Sequence, residues 1–275
     1  MSLIESILYG LVSGITEFLP VSSRAHQSLM LYLFGMETRA SLQELLVHIG
    51  VLLAIVLGCR EVLNRLRREQ RNTSVPRRRR HGADNRSTYE LRLLKTASVP
   101  LFIGLFLRFA TVRWESNLLL LLLFWLINGI ILLLADHTSR GNRDSRTMSS
   151  LDGIVMGIFG ALSAFPGISR TGMISSYTTA RGVSNENVAD WSILLGVPAM
   201  LFAGCFDFIC IFGQGLGVGS FMDVLFAILS GVAAFIGAHL GISLLKFLLN
   251  QSGLSKFAYY SMGAALFSFI LYLIT

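Results

Sequence analysis

The chain has 275 residues, of which 53% are hydrophobic and only 14% are charged. Charged residues make up about a quarter of a typical soluble domain, and the mean hydropathy of this chain is +0.63. These values exclude an ordinary soluble protein and indicate a protein of the membrane.

The net charge of +7 comes mainly from one hydrophilic stretch. Twelve of the 23 Lys and Arg residues lie between Arg60 and Lys95. Smaller basic groups follow at Arg140, Arg143, Arg146, Lys246 and Lys256. Cytoplasmic loops of membrane proteins are rich in Lys and Arg, which attract anionic lipid headgroups. We therefore expect a basic cytoplasmic loop over residues 60–94, with membrane lipids and no nucleic acid as partners.

The first apolar segment, Leu3–Phe34, is interrupted near its middle by Pro20, two serines and an arginine. Glu5 is the first charged residue and no basic region precedes it, so we expect this segment to remain in the mature protein. Irregular backbone at membrane depth must be buried in protein or line a wet cavity. We therefore predict a re-entrant helical hairpin here, and we call Leu3–Phe34 the first interrupted segment.

Six further apolar stretches are predicted to cross the membrane as helices, since about 20 residues span a hydrocarbon layer of about 30 Å. They are Leu42–Cys59, about Thr96–Ala110, Leu118–Leu134, Asp190–Phe212, Phe221–Leu249 and Phe257–Ile274. If the basic stretches are cytoplasmic, these crossings alternate in direction, and the short outer connections carry little positive charge.

A second interrupted segment, Leu151–Arg181, repeats the pattern of the first. Four residues recur 146 positions later, namely Gly14 as Gly160, Pro20 as Pro166, Ser23 as Ser169 and Arg24 as Arg170. Three crossings follow each segment, and because three is odd the second copy is inverted. The predicted fold is an all-α polytopic membrane protein in one domain, 1–275. It has about six transmembrane helices and two re-entrant hairpins in an inverted-topology repeat, 1–135 and 150–275.

The first interrupted segment places a carboxylate, two hydroxyls, a guanidinium and an imidazole within ten residues. They belong to Glu17, Ser22, Ser23, Arg24 and His26. A charged side chain inside the membrane costs at least about 2.5 kcal/mol unless it is paired or hydrated. The cluster is therefore either a functional site or a structural ion pair of Glu17 with Arg24 or Arg170, which would join the two segments.

The second interrupted segment contains the run Pro-Gly-Ile-Ser-Arg-Thr-Gly at residues 166–172. Its glycines permit close approach of backbone N–H groups, and the helix that follows offers its positive N-terminal end. Arg170 adds a planar, permanently charged fork that suits phosphate. We predict an oxyanion site with phosphate as occupant, and a carboxylate is the competing ligand.

These motifs closely resemble a known family. Gly-Ile-Thr-Glu-Phe-Leu-Pro-Val-Ser-Ser at 14–23, followed by His26, and the run at 166–172 are similar to motifs of the bacitracin-resistance-type undecaprenyl-diphosphatases. Supporting matches are Glu44, 48–50, 195–200 and 257–260. The resemblance spans nearly the whole chain except the basic stretch.

The resemblance implies roles for individual residues. Glu17 would hold a divalent cation, Mg²⁺ or another such as Ca²⁺, and Arg170 would bind phosphate oxygens. Ser23 or a metal-bound water would attack, with His26 as general acid or base. The further candidates for substrate binding are Ser22, Arg24, Gly167, Ser169, Thr171 and His48.

Several positions depart from the family's usual pattern. Ser13 stands where an acidic or amide residue is usual, Ile174 replaces a Thr, and Ser261 replaces an Arg. Arg24 and Ala25 stand where Thr and Gly are usual. Arg24 could supply a second guanidinium for phosphate.

The function implied by the resemblance is hydrolysis of undecaprenyl diphosphate to the monophosphate in the bacterial cytoplasmic membrane, which recycles the lipid carrier for cell-wall synthesis. The alternative is a polyprenyl-phosphate flippase, because inverted repeats are typical of transporters. A binding paralogue without activity is a third option. The sequence leaves the oligomeric state open, with a homodimer as one possibility. It assigns Arg108 and Asp207 to an interhelical pair or to snorkelling side chains.

Overall fold

A computed structural model describes residues 1–36, 41–73, 85–138, 141–144, 147–215 and 218–274, and these ranges are almost wholly helical, without a β-strand. The α-helices, in chain order, are α1 (Leu3–Phe18), α2 (Ser23–Leu33), α3 (Ser41–Gly58), α4 (Arg60–Thr73), α5 (Asn85–Thr111), α6 (Leu118–Asp136), α7 (Ser150–Ala161), α8 (Arg170–Ala180), α9 (Asn185–Leu194), α10 (Gly196–Gln214), α11 (Phe221–Ser252) and α12 (Ser255–Ile274). Short 3₁₀ turns follow α5 and α7, at Val112–Trp114 and Leu162–Ala164.

Local sequence explains where several of these helices begin. A Ser side chain caps the first turn of α1, α7 and α11, and an acidic side chain three residues later completes each capping box. Asn117 caps the Leu-rich helix α6 by accepting from the backbone N–H of Leu120 at 3.1 Å. Caps satisfy N–H groups that a helix leaves unpaired at its start.

The prediction of six crossings is confirmed. Among the described residues, six helical stretches have the length and apolar composition to cross a membrane. They are Ser41–Gly58, Thr88–Trp114, Leu118–Asp136, Asn185–Gly213, Phe221–Ser252 and Ser255–Ile274. The chain is therefore a multi-pass membrane protein of the all-α class.

Both interrupted segments have a helix, a break and a second helix. The break in the first lies between α1 and α2, and that in the second lies between Leu162–Ala164 and α8. Helix α1 packs along α11, while α7 packs along α5. Re-entry from opposite faces and the inverted repeat remain predictions.

The basic stretch, which connects two crossings, contains helix, and its cytoplasmic side stays a prediction. Helix α4 covers its first half and α5 begins at Asn85, so the described part of residues 60–94 is helical. Leu66 of α4 is buried, and Arg65 Nη2 donates to Glu90 Oε2 of α5 at 2.6 Å. The apolar face and the charge pair hold the two helices together. The run of four arginines at 77–80 lies outside the described residues.

Close backbone contact between α1 and α11 depends on glycine. A Cβ atom on Gly14 would lie 2.2 Å from the carbonyl oxygen of Ala234, and one on Gly10 would lie 2.0 Å from that of Ser230. Small residues at helix interfaces let membrane helices approach each other closely. The α1–α11 contact fixes the helix that carries Glu17.

We predict that Gly14→Ala lowers the thermal stability of the detergent-solubilised protein, because the new methyl group collides with backbone that cannot rotate away. Gly263→Ala is the matched control, since a Cβ there meets no atom within 4 Å and alanine favours helix by about 1 kcal/mol over glycine. Thermal unfolding followed by intrinsic fluorescence measures both. Equal midpoints for the two variants would contradict the close packing.

Candidate functional site

The two breaks face one cavity. Its lining residues come from both interrupted segments and from α3 and α10: Glu17, Ser22, Ser23, Arg24, Gln27, His48, Ser163, Ile168, Ser169, Arg170, Ala199, Met200 and Ala203. The structure therefore brings seven of the predicted site residues to one place, namely Glu17, Ser22, Ser23, Arg24, His48, Ser169 and Arg170.

A buried amide of α6 joins the two breaks. Asn128 is fully buried, and its Nδ2 donates to the carbonyl oxygen of Pro20 at 3.1 Å. Its Oδ1 accepts from the backbone N–H of Ser169 at 2.9 Å. Trp125, one turn earlier, donates from Nε1 to the carbonyl oxygen of Val21 at 2.8 Å. These bonds satisfy backbone groups that the irregular segments would otherwise leave unpaired.

Helices α2 and α8 both begin at the cavity. Ser22 caps α2 with φ of 65°, and Ser169 caps α8 by accepting from the N–H of Gly172 at 3.1 Å. The first residues of both helices line the cavity. A helix N-terminus carries partial positive charge and exposed N–H donors, and therefore favours an anion.

Gly167 and Thr171 lie outside the cavity lining and support it. Gly167 has φ of 100°, and a Cβ atom there would lie 2.7 Å from the backbone nitrogen of Trp125. The Thr171 hydroxyl donates to the carbonyl oxygen of Glu17 at 2.9 Å. These two predicted substrate-binding residues thus shape the breaks in this structure.

Glu17, Ser23 and Arg170 form the charged centre of the cavity. Arg170 Nη2 lies 3.2 Å from Glu17 Oε1, and the Ser23 hydroxyl donates to Glu17 Oε2. Arg170 Nη1 donates to the carbonyl oxygen of Ser192 at 3.0 Å. Its Nε is buried and has no hydrogen-bond partner within the described residues. The ion pair between the segments is therefore Glu17–Arg170, and one donor of the arginine is left without a hydrogen bond among the described residues.

Arg24 is the second guanidinium at the cavity. Its Nη1 lies 2.9 Å from Glu115 Oε1, and both side chains are largely buried. The pairing alternative of Glu17 with Arg24 is not formed. Arg24 lines the same cavity as Arg170, so that two arginines from different helices border it.

His26 is not among the residues that line the cavity. Its Nδ1 lies 2.8 Å from the carbonyl oxygen of Ser22, and its Nε2 lies 2.7 Å from the Tyr260 hydroxyl. Its ring stacks on Tyr260 and meets Trp125 edge-on. With both nitrogens engaged, His26 holds α2 against α6 and α12. Its acid–base role stays a prediction of the resemblance.

His48 is the histidine that lines the cavity. Its Nδ1 is hydrogen-bonded to Asp207 Oδ2, and Arg108 Nη2 lies 3.6 Å from Asp207 Oδ1. Of the two alternatives left open for Arg108 and Asp207, an interhelical pair or snorkelling side chains, the structure shows the interhelical pair. The bond between Asp207 and the cavity histidine was not foreseen, because the two residues are 159 positions apart.

The departures from the family pattern have structural explanations. Ser13 accepts a hydrogen bond from Gln27 Nε2 at 3.1 Å, and Gln27 lines the cavity, so an amide occupies that neighbourhood. The Ser261 hydroxyl accepts from Asn128 Nδ2 at 3.2 Å. Ile174 is fully buried in the apolar core. Nothing in the sequence distinguishes Gln27 except its polarity and its position beside His26.

The donor atoms of the cavity limit the kind of metal site it can form. Within the described residues, no group of three or more His, Cys, Asp or Glu side chains could hold a metal ion. Glu17 is the carboxylate of the lining, with the Ser23 hydroxyl and the Gln27 amide beside it. Mg²⁺ commonly binds to one or two carboxylates, several waters and substrate phosphates. The donors fit a cation whose coordination a phosphate ligand completes.

The chain matches the family model described as bacitracin resistance protein BacA over residues 6–267. It belongs to this family. A relative named undecaprenyl-diphosphatase, from Prochlorococcus marinus (strain MIT 9215), is 30% identical over 263 residues, which cover 94% of this chain and 96% of the relative. A protein of the same name from Syntrophotalea carbinolica is 30% identical over 272 residues, covering 98% and 99%. The matched residues, 6–267, include both breaks and all or most of each of the six spanning helices.

We predict that Asn128→Ala destabilises the protein more than Asn117→Ala does. The first change leaves the N–H of Ser169 and the carbonyl of Pro20 unpaired, at about 1–3 kcal/mol for each buried group. The second removes a helix cap, at about 1 kcal/mol. The denaturation midpoints of the two α6 variants are compared in the same detergent. Equal losses would show that the bridge between the breaks contributes little.

Proposed function

We propose that this protein hydrolyses undecaprenyl diphosphate to undecaprenyl phosphate and inorganic phosphate, in the cytoplasmic membrane of a bacterium. The relatives' name, undecaprenyl-diphosphatase, supports the reaction. The observation that carries the proposal is the cavity at the two breaks, where Arg170 has a buried donor without a partner among the described residues. A phosphate oxygen would satisfy that donor.

The charges around the cavity suit a diphosphate. Arg170 and Arg24 border the cavity, and the N-termini of α2 and α8 reach it. A diphosphate has two anionic centres, and planar guanidinium groups bind phosphate oxygens through paired donors. We assign one phosphoryl group to Arg170 with Ser169 and the other to Arg24 with Ser22. Glu17 and Glu115, which pair with the arginines, limit the positive charge of the empty cavity.

In phosphoryl transfer the protein mainly positions the reacting groups and neutralises the charge of the phosphate oxygens. An oxygen nucleophile attacks the terminal phosphorus, and the bond to the bridging oxygen breaks with its electron pair on the lipid monophosphate. The Ser23 hydroxyl already donates to Glu17, so Glu17 is the proton acceptor if Ser23 attacks. If water attacks directly, Ser23 and Arg170 orient the phosphoryl group.

We propose Mg²⁺, or another divalent cation such as Ca²⁺, as cofactor. Glu17 would hold it, with the hydroxyl of Ser23 and the amide oxygen of Gln27 as further donors. A divalent cation, when bound, supplies positive charge that stabilises the leaving phosphate. The Glu17 carboxylate then has a second task besides its pair with Arg170.

Transport of a lipid phosphate is the alternative, and it is not favoured. A cavity at the junction of two breaks suits a transporter as well. The relatives, however, carry the name of a hydrolase, and Ser23 with Glu17 gives the cavity a polar pair suited to hydrolysis. A homodimer stays a prediction.

We predict that purified protein releases inorganic phosphate from undecaprenyl diphosphate in the presence of Mg²⁺. Arg170→Ala and Glu17→Ala should lower kcat/KM by about 100-fold or more. The first change removes the guanidinium proposed to bind the phosphoryl group, and the second removes the carboxylate proposed to hold the cation and to accept the Ser23 proton. EDTA should abolish release, and added Mg²⁺ should restore it. A colorimetric phosphate assay measures release by the wild type, by both variants, with EDTA and after Mg²⁺ is restored.

Arg181→Ala is the matched control. Arg181 caps the other end of α8 and pairs with Asp152 at 2.8 Å, and its side chain is 45% exposed. It should retain wild-type turnover. If wild-type protein releases no phosphate while it moves lipid phosphate across a liposome membrane, the hydrolase proposal is wrong and the transporter alternative replaces it.

A further inference from the structure

A second network of buried charges meets the cavity at His48. The imidazole of His48 on α3 lines the cavity, and its Nδ1 is hydrogen-bonded to Asp207 of α10. Asp207 in turn pairs with Arg108 of α5, and the side chains of His48, Asp207 and Arg108 are 8%, 3% and 6% exposed. Three helices therefore contribute one ionisable residue each to a connected group.

Asp207 decides which nitrogen of His48 carries the proton. A carboxylate only accepts hydrogen bonds, so the Nδ1 that faces it must carry the hydrogen. In the neutral ring, Nε2 then has a free lone pair. Nε2 makes no hydrogen bond within the described residues, and the ring lines the cavity. The network thus orients a proton acceptor at the place where the diphosphate is proposed to bind.

Arg108 is the second partner of Asp207, beside His48. The guanidinium of Arg108 lies over the ring of Phe206, 4.2 Å from its centroid. Its Nε and Nη1 are buried without hydrogen-bond partners in the described part of the chain. Arg108 is therefore tied to Asp207 mainly by charge, and its guanidinium lies beside the buried carboxylate that is hydrogen-bonded to His48.

His26, by comparison, has both ring nitrogens engaged. Its Nδ1 and Nε2 are taken by Ser22 and Tyr260, and it lies outside the cavity lining. His48 and Asp207 have the arrangement in which an acidic residue holds a histidine in the tautomer required of a base.

We propose that His48 accepts a proton from the attacking water and that Asp207 is its positioning residue, an inference that rests on the hydrolytic function proposed above. Every route to inorganic phosphate includes attack of water on phosphorus, either on the diphosphate itself or on a phosphorylated Ser23. The water oxygen bonds to phosphorus while the bond to the bridging oxygen, or to Ser23 Oγ, breaks with its electron pair on that oxygen. One water proton passes to His48 Nε2 and from there to the departing oxygen or to solvent.

The test is a double-mutant cycle in the phosphate-release assay. His48→Gln should lower kcat by about 100-fold or more, and Asp207→Asn by about tenfold or more. The double variant should be no slower than His48→Gln alone, because Asp207 acts only through His48. Affinity for an analogue with a methylene bridge between the phosphorus atoms should stay within about twofold of wild type, since chemistry and not binding is affected.

Asp152→Asn is the control, because Asp152 is a buried carboxylate paired with Arg181 and Tyr177 outside the cavity lining. It should keep wild-type kcat. If Asp207→Asn does not fold, the double variant Arg108→Gln/Asp207→Asn replaces it, because it removes both members of the buried ion pair. The kcat loss expected of it is that given above for Asp207→Asn.

A second measurement does not depend on catalysis. It is the rate at which His48 is carbethoxylated, measured by mass spectrometry. Asp207→Asn should slow the modification of His48 while exposed His137 reacts as in the wild type. Wild-type kcat in both Asp207 variants, or kcat losses that multiply in the double variant, would overturn the proposal while leaving the hydrolase function intact. A wild-type protein that releases no phosphate would instead overturn the function itself.

Discussion

Two breaks in helical backbone, placed side by side in an apolar protein, depend on partners for their polar groups. Asn128 supplies them by accepting from Ser169 and donating to Pro20, and Trp125 and Ser169 add bonds to Val21 and Leu19. In hydrocarbon, each unsatisfied backbone group costs several kcal/mol. The bridge through Asn128 therefore allows the chain to keep irregular backbone where the cavity lies.

The positive charge at the cavity comes from residues and helix N-termini at the two breaks. Helices α2 and α8 begin where the two breaks end, and the first turn of each contains an arginine, Arg24 in α2 and Arg170 in α8. The arginines are paired across the segments or with the α5–α6 connection, as Glu17–Arg170 and Arg24–Glu115. Pairing lowers the penalty for burying charge. A diphosphate that enters can exchange part of this pairing for its own oxygens.

Much of the fold could be predicted from the sequence, because apolar length and interruption are local signals. Six crossings and two breaks follow from stretches of about 20 apolar residues and from Pro20 and Pro166. The resemblance of the two motifs to a known family also assigned Glu17, Ser23 and Arg170 to one site, and the structure places the three side chains together at one cavity. The helical character of residues 60–73 was missed, since a run rich in Arg conceals the apolar stripe that buries Leu66 against α5.

The remaining parts of the site depend on tertiary contacts that no local pattern encodes. Asn128 is a single amide in a Leu-rich helix, and its partners lie 108 and 41 residues away. The orientation of His26 toward Tyr260 and of His48 toward Asp207 is likewise set by helix packing over more than 150 residues. Residue type alone marks both histidines as candidates, and packing decides which one meets the cavity.

The central claim is that the junction of the two breaks binds a lipid diphosphate through Arg170. A structure determined with a diphosphate analogue that carries a methylene bridge and a short isoprenoid tail tests it most directly. We expect a phosphoryl group within hydrogen-bond distance of Arg170 Nε, at the N-termini of α2 and α8. An analogue bound elsewhere, with the junction cavity empty, would contradict the account.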